Sequence, residues 1–150
     1  MFESVIVLVA TKFHYLVITG AILGWLYARP IQRRKLAIFS AVSLPTAYVV
    51  GRVASWLIDS PRPFVSHDLT PLFAHTADNG FPSEHALFAF TLSALVYTVN
   101  KPLGISLFVV SGLIGTARVM ANVHHTIDVF GGLVIAVAVV YLAQRLQQLI

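Results

Sequence analysis

Long apolar runs dominate this sequence, and they constrain its fold more than any other feature. Five stretches approach the roughly 20 apolar residues that a helix needs to cross a bilayer core. Only 11% of the residues are charged, against about a quarter in a soluble domain, which leaves too little polar surface for a fold surrounded by water. Disorder, a coiled coil and an ordinary cytosolic enzyme are therefore excluded. The expected spans are residues 4–28, 36–58, 81–99, 102–120 and 126 to about 143.

We therefore predict an all-α fold in which residues 1–150 form a single polytopic membrane domain with about five transmembrane helices. The first span is expected to be retained, since the residues around it do not resemble a secretory signal. The chain has no cysteine, which excludes a disulfide, a thiolate metal site and a cysteine nucleophile.

The cationic residues of the short connections predict how the chain sits in the membrane, because Lys and Arg concentrate on the cytoplasmic side. With the expected order of spans, six of them fall on the same side of the membrane. The N-terminus, residues 59–80 and most histidines then lie outside or at the outer edge, and the C-terminus is cytoplasmic. The net charge of +4 reflects this anchoring and gives no reason to expect nucleic-acid binding. The six are Arg29, Arg33, Arg34, Lys35, Lys101 and Arg145.

Two polar clusters flank the expected outer loop. Arg62, between two prolines, follows the second span, and its planar guanidinium suits bidentate binding of a phosphate. Anchoring to lipid headgroups is a common alternative for such an arginine. Ser83, Glu84 and His85 open the third span, where Ser83 can cap a helix whose free N–H groups favour an anion. A merely polar helix start explains this second cluster about as well.

A third cluster joins the fourth and fifth spans and contains Arg118, His124 and Asp128. His124 and Asp128 are four residues apart, which predicts a carboxylate beside the imidazole. Such a carboxylate orients a catalytic histidine and stabilises its charged form. Taken alone, the same spacing also fits half of a metal site or a satisfied polar pair.

The topology brings all three clusters to one membrane face, and together they indicate a phosphoryl-transfer site. Two guanidinium groups and a helix N-terminus can neutralise the oxygens of a transferring phosphoryl group. One histidine can attack the phosphorus, and the other can protonate the departing oxygen. This inventory contains no complete set of metal ligands, so we expect neither a metal nor another cofactor.

The clusters resemble, in order and spacing, the three motifs of the type 2 phosphatidic acid phosphatase superfamily of membrane enzymes. The resemblance runs from about Phe2 to Leu146. It agrees with the spacing in predicting His124 as a nucleophile that forms a phosphohistidine, Asp128 as the residue that orients it and His85 as the general acid. It implies phosphate binding by residues of each motif. The expected phosphate-binding residues are Arg62, Ser83 and Arg118.

The sequence departs from the family pattern at several positions. Ser55 occupies the place of a phosphate-binding lysine, and Arg52, three residues earlier, is a tentative substitute. Glu84 replaces a glycine in the second motif and is expected to pair with an arginine or to orient a histidine. Alanine precedes Arg118 where the family has serine. Many bacterial relatives have six spans, and this chain is expected to lack the first.

Within the superfamily, residues 75–85 are most similar to the undecaprenyl pyrophosphate phosphatases. That resemblance implies removal of the terminal phosphate of the lipid carrier at the outer face of the plasma (inner) membrane. Phosphatidic acid and phosphatidylglycerol phosphate are alternative substrates of the same polyprenyl or glycerolipid class. A membrane carrier with an intramembrane polar relay is an alternative from another class, but its expected inverted repeat is not visible. An inactive membrane scaffold would normally have lost one of the two histidines.

Overall fold

The computed structural model describes residues 1–67 and 69–147, and within these residues all regular structure is helical. The predicted all-α helix bundle is therefore confirmed. In chain order the helices are α1 (Phe2–Lys12), α2 (His14–Leu26), α3 (Pro30–Leu57), α4 (Pro63–Ser66), α5 (Glu84–Tyr97), α6 (Lys101–Met120) and α7 (Thr126–Gln147).

The first expected span is a bent pair of helices. Helices α1 and α2 meet at Phe13 with a bend of 43°, and together they are long and apolar enough for one crossing. The backbone N–H of Phe13 still donates to the carbonyl of Val9, at 3.4 Å. The first residue of α2, immediately after the bend, is His14.

Helices α3, α6 and α7 are each long and apolar enough to cross a membrane. Helix α3 begins at Pro30, earlier than the expected residue 36, because proline suits a first helical position where its missing N–H is not needed. The side chain of Asn100 caps α6 by accepting a hydrogen bond from the backbone N–H of Leu103, at 3.2 Å. Helix α3 continues through Pro45 as one element.

Helix α5 lies inside the bundle. It has 14 residues, about 21 Å of helix, and begins at Glu84 rather than at residue 81. It packs against α2, α3, α6 and α7, and nine of its residues are buried. The surrounding helices expose large apolar side chains such as Trp56, Ile105 and Tyr141, as expected where a protein contacts lipid. The chain is a multi-pass membrane protein whose central helix is shorter than α3, α6 and α7.

Backbone hydrogen bonds join the loops at one end of the bundle. The N–H of Leu72, in the loop between α4 and α5, donates to the carbonyl of Ala121, at 3.1 Å. The N–H of Ser83, before α5, donates to the carbonyl of Asp128 in the first turn of α7, at 3.0 Å. These contacts bring the three polar clusters of the sequence together.

Candidate active site

His124 and Asp128 form a buried pair where the connection after α6 enters α7. Nδ1 of His124 lies 3.4 Å from Oδ2 of Asp128, and the two side chains are 2% and 0% exposed. His124 precedes the first residue of α7, so the pair is not part of a continuous helical turn. The remaining partners of Asp128 are the backbone N–H of His125, which donates to Oδ2, and the hydroxyl of Ser60, which donates to Oδ1, both at 2.8 Å.

Two guanidinium groups face the other ring nitrogen of His124. Nη1 of Arg62 lies 3.2 Å from Nε2, and Nη2 of Arg118 lies 3.3 Å from it. Because a guanidinium has only donors, Nε2 must accept, and the ring proton is therefore on Nδ1 beside Asp128. Burial, followed by the positive charges of Arg118 and Arg62, outweighs the contact with Asp128 and lowers the pKa of His124 to about 4. The imidazole is thus neutral at pH 7, with its free electron pair on Nε2.

Arg62 is buried and satisfied on both edges of its guanidinium. Nη1 also donates to the carbonyl of Val123, at 2.8 Å. Nε donates to Oδ1 of Asp78 at 2.8 Å, and Nη2 forms an ion pair with the same oxygen, also at 2.8 Å. Partial burial would raise the pKa of the Asp78 carboxyl, but the hydrogen bond and charge of Arg62 outweigh it and hold that pKa below its ordinary value. Arg62 therefore reaches His124 with one edge while Asp78 holds the other.

Arg118, in the last turn of α6, is also buried and held from several sides. Its Nη2 donates to Nε2 of His75 at 2.9 Å, and its Nη1 donates to the carbonyl of Ala10 in α1 at 3.4 Å. The guanidinium lies over the ring of Phe73, 5.8 Å from its centroid. Burial, with the charges of Arg62 and Arg118, lowers the pKa of His75. His75 therefore acts as a neutral acceptor for Arg118.

The second motif contributes His85 to the same space. A cavity of about 210 Å³ is lined by His85 as well as by His124, Arg62 and Arg118. The ring of His85 meets that of His14 edge to face, with centroids 5.5 Å apart. The structure thus brings together the two histidines and the two arginines that the sequence singled out.

Ser83 and Glu84 differ from the sequence-based expectations. Ser83 occupies the N-cap position of α5, but its side chain makes no capping hydrogen bond, and its buried hydroxyl has no partner among the described residues. Ser83 is also absent from the cavity lining, so phosphate binding by its hydroxyl stays a prediction. Glu84 pairs with Arg52, 3.7 Å away, rather than orienting a histidine, because its exposed side chain projects from α5 toward α3. Arg52 and Glu84 both line the cavity.

Asn79 holds the first two motifs together and is a residue that sequence reasoning missed. Its Oδ1 accepts from the backbone N–H groups of Ser60 and Phe81, at 3.0 and 3.1 Å. Its Nδ2 donates to the carbonyls of Ser55 and Ile58, at 2.6 and 2.7 Å. These four bonds attach the end of the loop between α4 and α5 to the end of α3.

Gly80, the next residue, is required by close packing. A Cβ atom there would lie 2.9 Å from Oδ2 of Asp128 and 3.0 Å from the carbonyl of Ser60.

Sequence reasoning also missed three further site residues, Ser60, His75 and Asp78. The only sequence signal for them is that polar residues accumulate just before the second motif, which does not identify their partners.

The alternative of a metal site at His124 and Asp128 lacks geometric support, even with the neighbouring His125 considered as a third ligand. The ring Nε2 of His125 lies 3.0 Å from the carbonyl of Pro61, to which it donates. Across residues 1–67 and 69–147, no group of three or more His, Cys, Asp or Glu side chains is arranged to hold a metal ion. Metal independence of the reaction stays a prediction, since it concerns turnover rather than geometry.

Comparisons with known proteins agree on one family. The sequence model of the PAP2 superfamily matches residues 36–149. The undecaprenyl-diphosphatase BcrC of Bacillus subtilis is 30% identical over 126 residues, which cover 84% of this chain and 65% of that protein. The putative undecaprenyl-diphosphatase YbjG of Escherichia coli is 36% identical over 118 residues, covering 75% of this chain and 57% of that protein. The chain thus spans 65% and 57% of the lengths of these two relatives, less than two thirds in each case.

A solved structure agrees at the level of the fold. The crystal structure of Aquifex aeolicus LpxE superimposes on this chain with a TM-score of 0.69 and covers 95% of this chain and 93% of that one. The two sequences are 22% identical, so this similarity concerns the arrangement of the helices.

Proposed function

The chain belongs to the PAP2 superfamily, and from this premise we propose that it is an integral-membrane lipid phosphatase that removes the terminal phosphate of undecaprenyl pyrophosphate. One observation carries the proposal. The unprotonated Nε2 of buried His124 faces two guanidinium groups in a cavity that His85 also lines. A neutral nucleophile, two fixed cations and a second histidine are the parts that phosphoryl transfer through a phosphohistidine requires.

The first step is attack by Nε2 of His124 on the terminal phosphorus. The N–P bond forms, the bond from phosphorus to the bridging oxygen breaks, and the bridging oxygen takes the electron pair. His85, in its protonated form, donates a proton to that oxygen as the lipid monophosphate leaves. Asp128 keeps the proton on Nδ1 and stabilises the positive charge that develops on the ring.

The second step is hydrolysis of the phosphohistidine. A water molecule attacks the phosphorus, His85 accepts its proton, and the N–P bond breaks with the electron pair returning to Nε2. Inorganic phosphate leaves, and both histidines recover their starting protonation.

The arginines determine when Nε2 becomes reactive. Arg62 and Arg118 donate toward the electron pair that must attack the phosphorus. The oxygens of an entering phosphate are stronger acceptors than an imidazole, so they take over these N–H groups and release the electron pair. The same N–H groups then stabilise the charge of the transferring phosphoryl group.

The preference for a diphosphate rests on the number and placement of cations. Arg62 and Arg118 face the reacting phosphate, while Arg52, at the mouth of the cavity, is available to the second phosphate. An apolar bundle lets the lipid keep its tail in the bilayer while its headgroup enters the cavity. The two curated relatives described above are named as undecaprenyl-diphosphatases, which supports this choice of substrate.

Phosphate release from purified protein tests the proposal. With all lipids dispersed in the same detergent, we expect kcat/KM for undecaprenyl pyrophosphate to exceed that for phosphatidic acid by at least about tenfold, or about 1.4 kcal/mol. Phosphatidylglycerol phosphate belongs in the same panel. Equal or reversed preference would refute the carrier lipid as substrate, and activity that needed magnesium or zinc after EDTA would refute the metal-free mechanism.

The cavity is proposed to face the exterior or periplasm, because the six cationic residues of the short connections belong at the cytoplasmic end. Since the chain has no native cysteine, single cysteines report the orientation directly. A cysteine replacing exposed Asp59 should react with an impermeant thiol reagent in intact cells, whereas one replacing exposed Arg34 should not. The opposite pattern would place the site in the cytoplasm.

A further inference from the structure

One segment of the outer loop contacts both arginines of the site. His75 accepts from Nη2 of Arg118 at 2.9 Å, and Oδ1 of Asp78 accepts from Nε of Arg62 and pairs with its Nη2, each at 2.8 Å. His75 and Asp78 are three residues apart and lie outside the three polar clusters of the sequence. We refer to these two residues together as the loop clamp.

The clamp contacts each guanidinium group at or next to the nitrogen atom that faces His124. Arg62 uses Nε and Nη2 for Asp78 and keeps Nη1 for His124. A guanidinium is planar and rigid, so holding one edge determines where the other edge points. Arg118 uses the same nitrogen, Nη2, for His75 and His124, so one N–H toward His75 directs the second N–H toward Nε2.

The segment that carries the clamp is itself firmly attached. Asn79 follows Asp78 and makes four hydrogen bonds to the backbone around Ser60 and the end of α3. The ring of His75 also lies 6.2 Å, centroid to centroid, from that of Phe73, over which Arg118 packs. The clamp is therefore fixed relative to α3 at one end and to α6 at the other.

We propose that His75 and Asp78 are positioning residues that preset the two guanidinium groups for the transferring phosphoryl group. This proposal rests on the phosphatase function proposed above. Free arginine side chains lose considerable rotamer freedom when they bind, and donors that are already oriented contribute more to the transition state. The clamp supplies that orientation before the substrate arrives.

A competing interpretation is that Asp78 occupies the substrate's own place on Arg62 and blocks it. The geometry favours positioning, because the reacting phosphorus must approach Nε2 of His124 beside Nη1 of Arg62. Asp78 lies on the Nε and Nη2 edge instead. The two interpretations predict opposite effects of removing the carboxylate.

The first experiment replaces Asp78 and measures hydrolysis of a lipid diphosphate. Asp78→Asn should lower kcat/KM by about tenfold, because it weakens two charge-assisted contacts with Arg62. Asp78→Glu should restore part of the loss. Asp59→Asn is the matched control, since it removes an exposed carboxylate from the same loop and should leave kcat/KM unchanged.

A double-mutant cycle shows whether Asp78 acts through Arg62. In an Arg62→Ala background, Asp78→Asn should cause almost no additional loss. An equal loss in both backgrounds would assign the effect to folding or to bulk charge and overturn the proposal. An increase in kcat/KM on Asp78→Asn would establish the blocking interpretation instead.

The second arm concerns His75. His75→Phe keeps a ring without an acceptor and should lower kcat/KM about tenfold, whereas His75→Gln offers an amide oxygen to Arg118 and should recover part of that loss. His67→Phe, at an exposed position of the same loop, should have no effect. Unchanged activity of His75→Phe would remove that residue from the clamp.

Calorimetric measurement of inorganic phosphate binding to the detergent-solubilised protein tests the clamp without turnover. Asp78→Asn and His75→Phe should each bind phosphate several-fold more weakly than the unmodified chain, and unchanged or tighter binding would contradict the clamp. If the unmodified chain binds phosphate but releases none from any lipid, the proposed phosphatase function fails while the clamp remains a property of a phosphate site.

Discussion

The two ends of the helix bundle treat their cations in opposite ways. At the site end, Arg62 and Arg118 are 5% and 2% exposed, and each makes hydrogen bonds to several other parts of the chain. At the other end, Arg29, Arg34 and Lys101 are exposed. Arg33, also at that end, is partly buried and donates locally to the carbonyl of Ala28, at 2.9 Å.

Burial with partners, rather than the presence of charge, therefore distinguishes the end that contains the cavity from the other end. Removing a guanidinium from water costs free energy unless other hydrogen-bond acceptors replace the water. Buried arginines therefore occur where carbonyls, carboxylates or ring nitrogens accept their N–H groups. An exposed cation at a membrane interface needs only water and lipid headgroups. The following predictions test whether this contrast in burial corresponds to a contrast in function.

The largest effect is expected at His124. His124→Asn should lower turnover on the order of ten thousandfold and abolish trapping of labelled phosphate on the protein, because no other nucleophile replaces Nε2. His125→Asn is the neighbouring control and should stay within a few-fold of the unmodified chain, since its ring contacts the carbonyl of Pro61 and the exposed ring of His67 rather than the arginines of the site. Near-normal turnover of His124→Asn would refute the nucleophile assignment.

The contrast between the ends is sharpest for a pair of arginines. Arg118→Ala should lower kcat about one hundredfold to one thousandfold, because it removes a preorganised donor to the phosphoryl group. Arg145→Ala removes an exposed side chain that contacts Tyr141 and should change neither activity nor thermal stability measurably. Comparable losses in the two variants, measured side by side, would mean that burial does not distinguish functional from anchoring cations.

The pH dependence of stability provides an independent measure of the buried site. The pKa of His124 is about 4 in the folded chain, below the ordinary value of 6.5. Between these values the unfolded chain binds more protons, so stability should fall as pH decreases from 6.5 toward 4. Over this window the loss should be on the order of 3 kcal/mol, and it is absent above pH 6.5.

Thermal unfolding in detergent measures this dependence. His124→Asn should show a flatter decrease of Tm with decreasing pH, whereas His67→Asn should follow the unmodified chain, because His67 is exposed. A decrease of equal steepness in both variants would assign the pH sensitivity to other groups.

The smallest effect is expected where a cation of the site is exposed. Arg52 and its partner Glu84 have 61% and 71% exposed side chains, and pairs of this kind contribute only about 0.2–1 kcal/mol. Arg52→Ala should therefore lower kcat/KM for a lipid diphosphate only about threefold, with less effect on a lipid monophosphate. Ser55→Lys in the same background should recover the loss. Failure of the lysine to do so would remove Arg52 from phosphate binding.

Most of the helical architecture follows from local sequence signals. Apolar runs of about 20 residues predict membrane helices, and the predicted end of α6 at Met120 and start of α7 at Thr126 agree with the structure. The bend at Phe13 and the burial of the short helix α5 do not follow from composition. They depend on which other helices surround each segment.

The motif residues were also accessible from the sequence. The four-residue spacing predicts, through one helical turn, that His124 and Asp128 are neighbours. They are neighbours in the structure, although the pair forms where the connection enters α7 rather than within a helical turn. Glu84 was harder, since both a histidine and an arginine were possible partners, and only the packing of α5 beside α3 selects Arg52.

The all-helical membrane fold and the residues proposed for the site thus follow from the sequence alone. The contacts that hold those residues are visible only once the helices are packed: Asp78 with Arg62, His75 with Arg118 and Ser60 with Asp128. The reason is the sequence separation over which each interaction acts. Helix formation and neighbouring pairs depend on residues a few positions apart, whereas these three contacts join positions 16, 43 and 68 residues apart. Polar side chains over such separations have many possible partners, and packing of the helices selects among them.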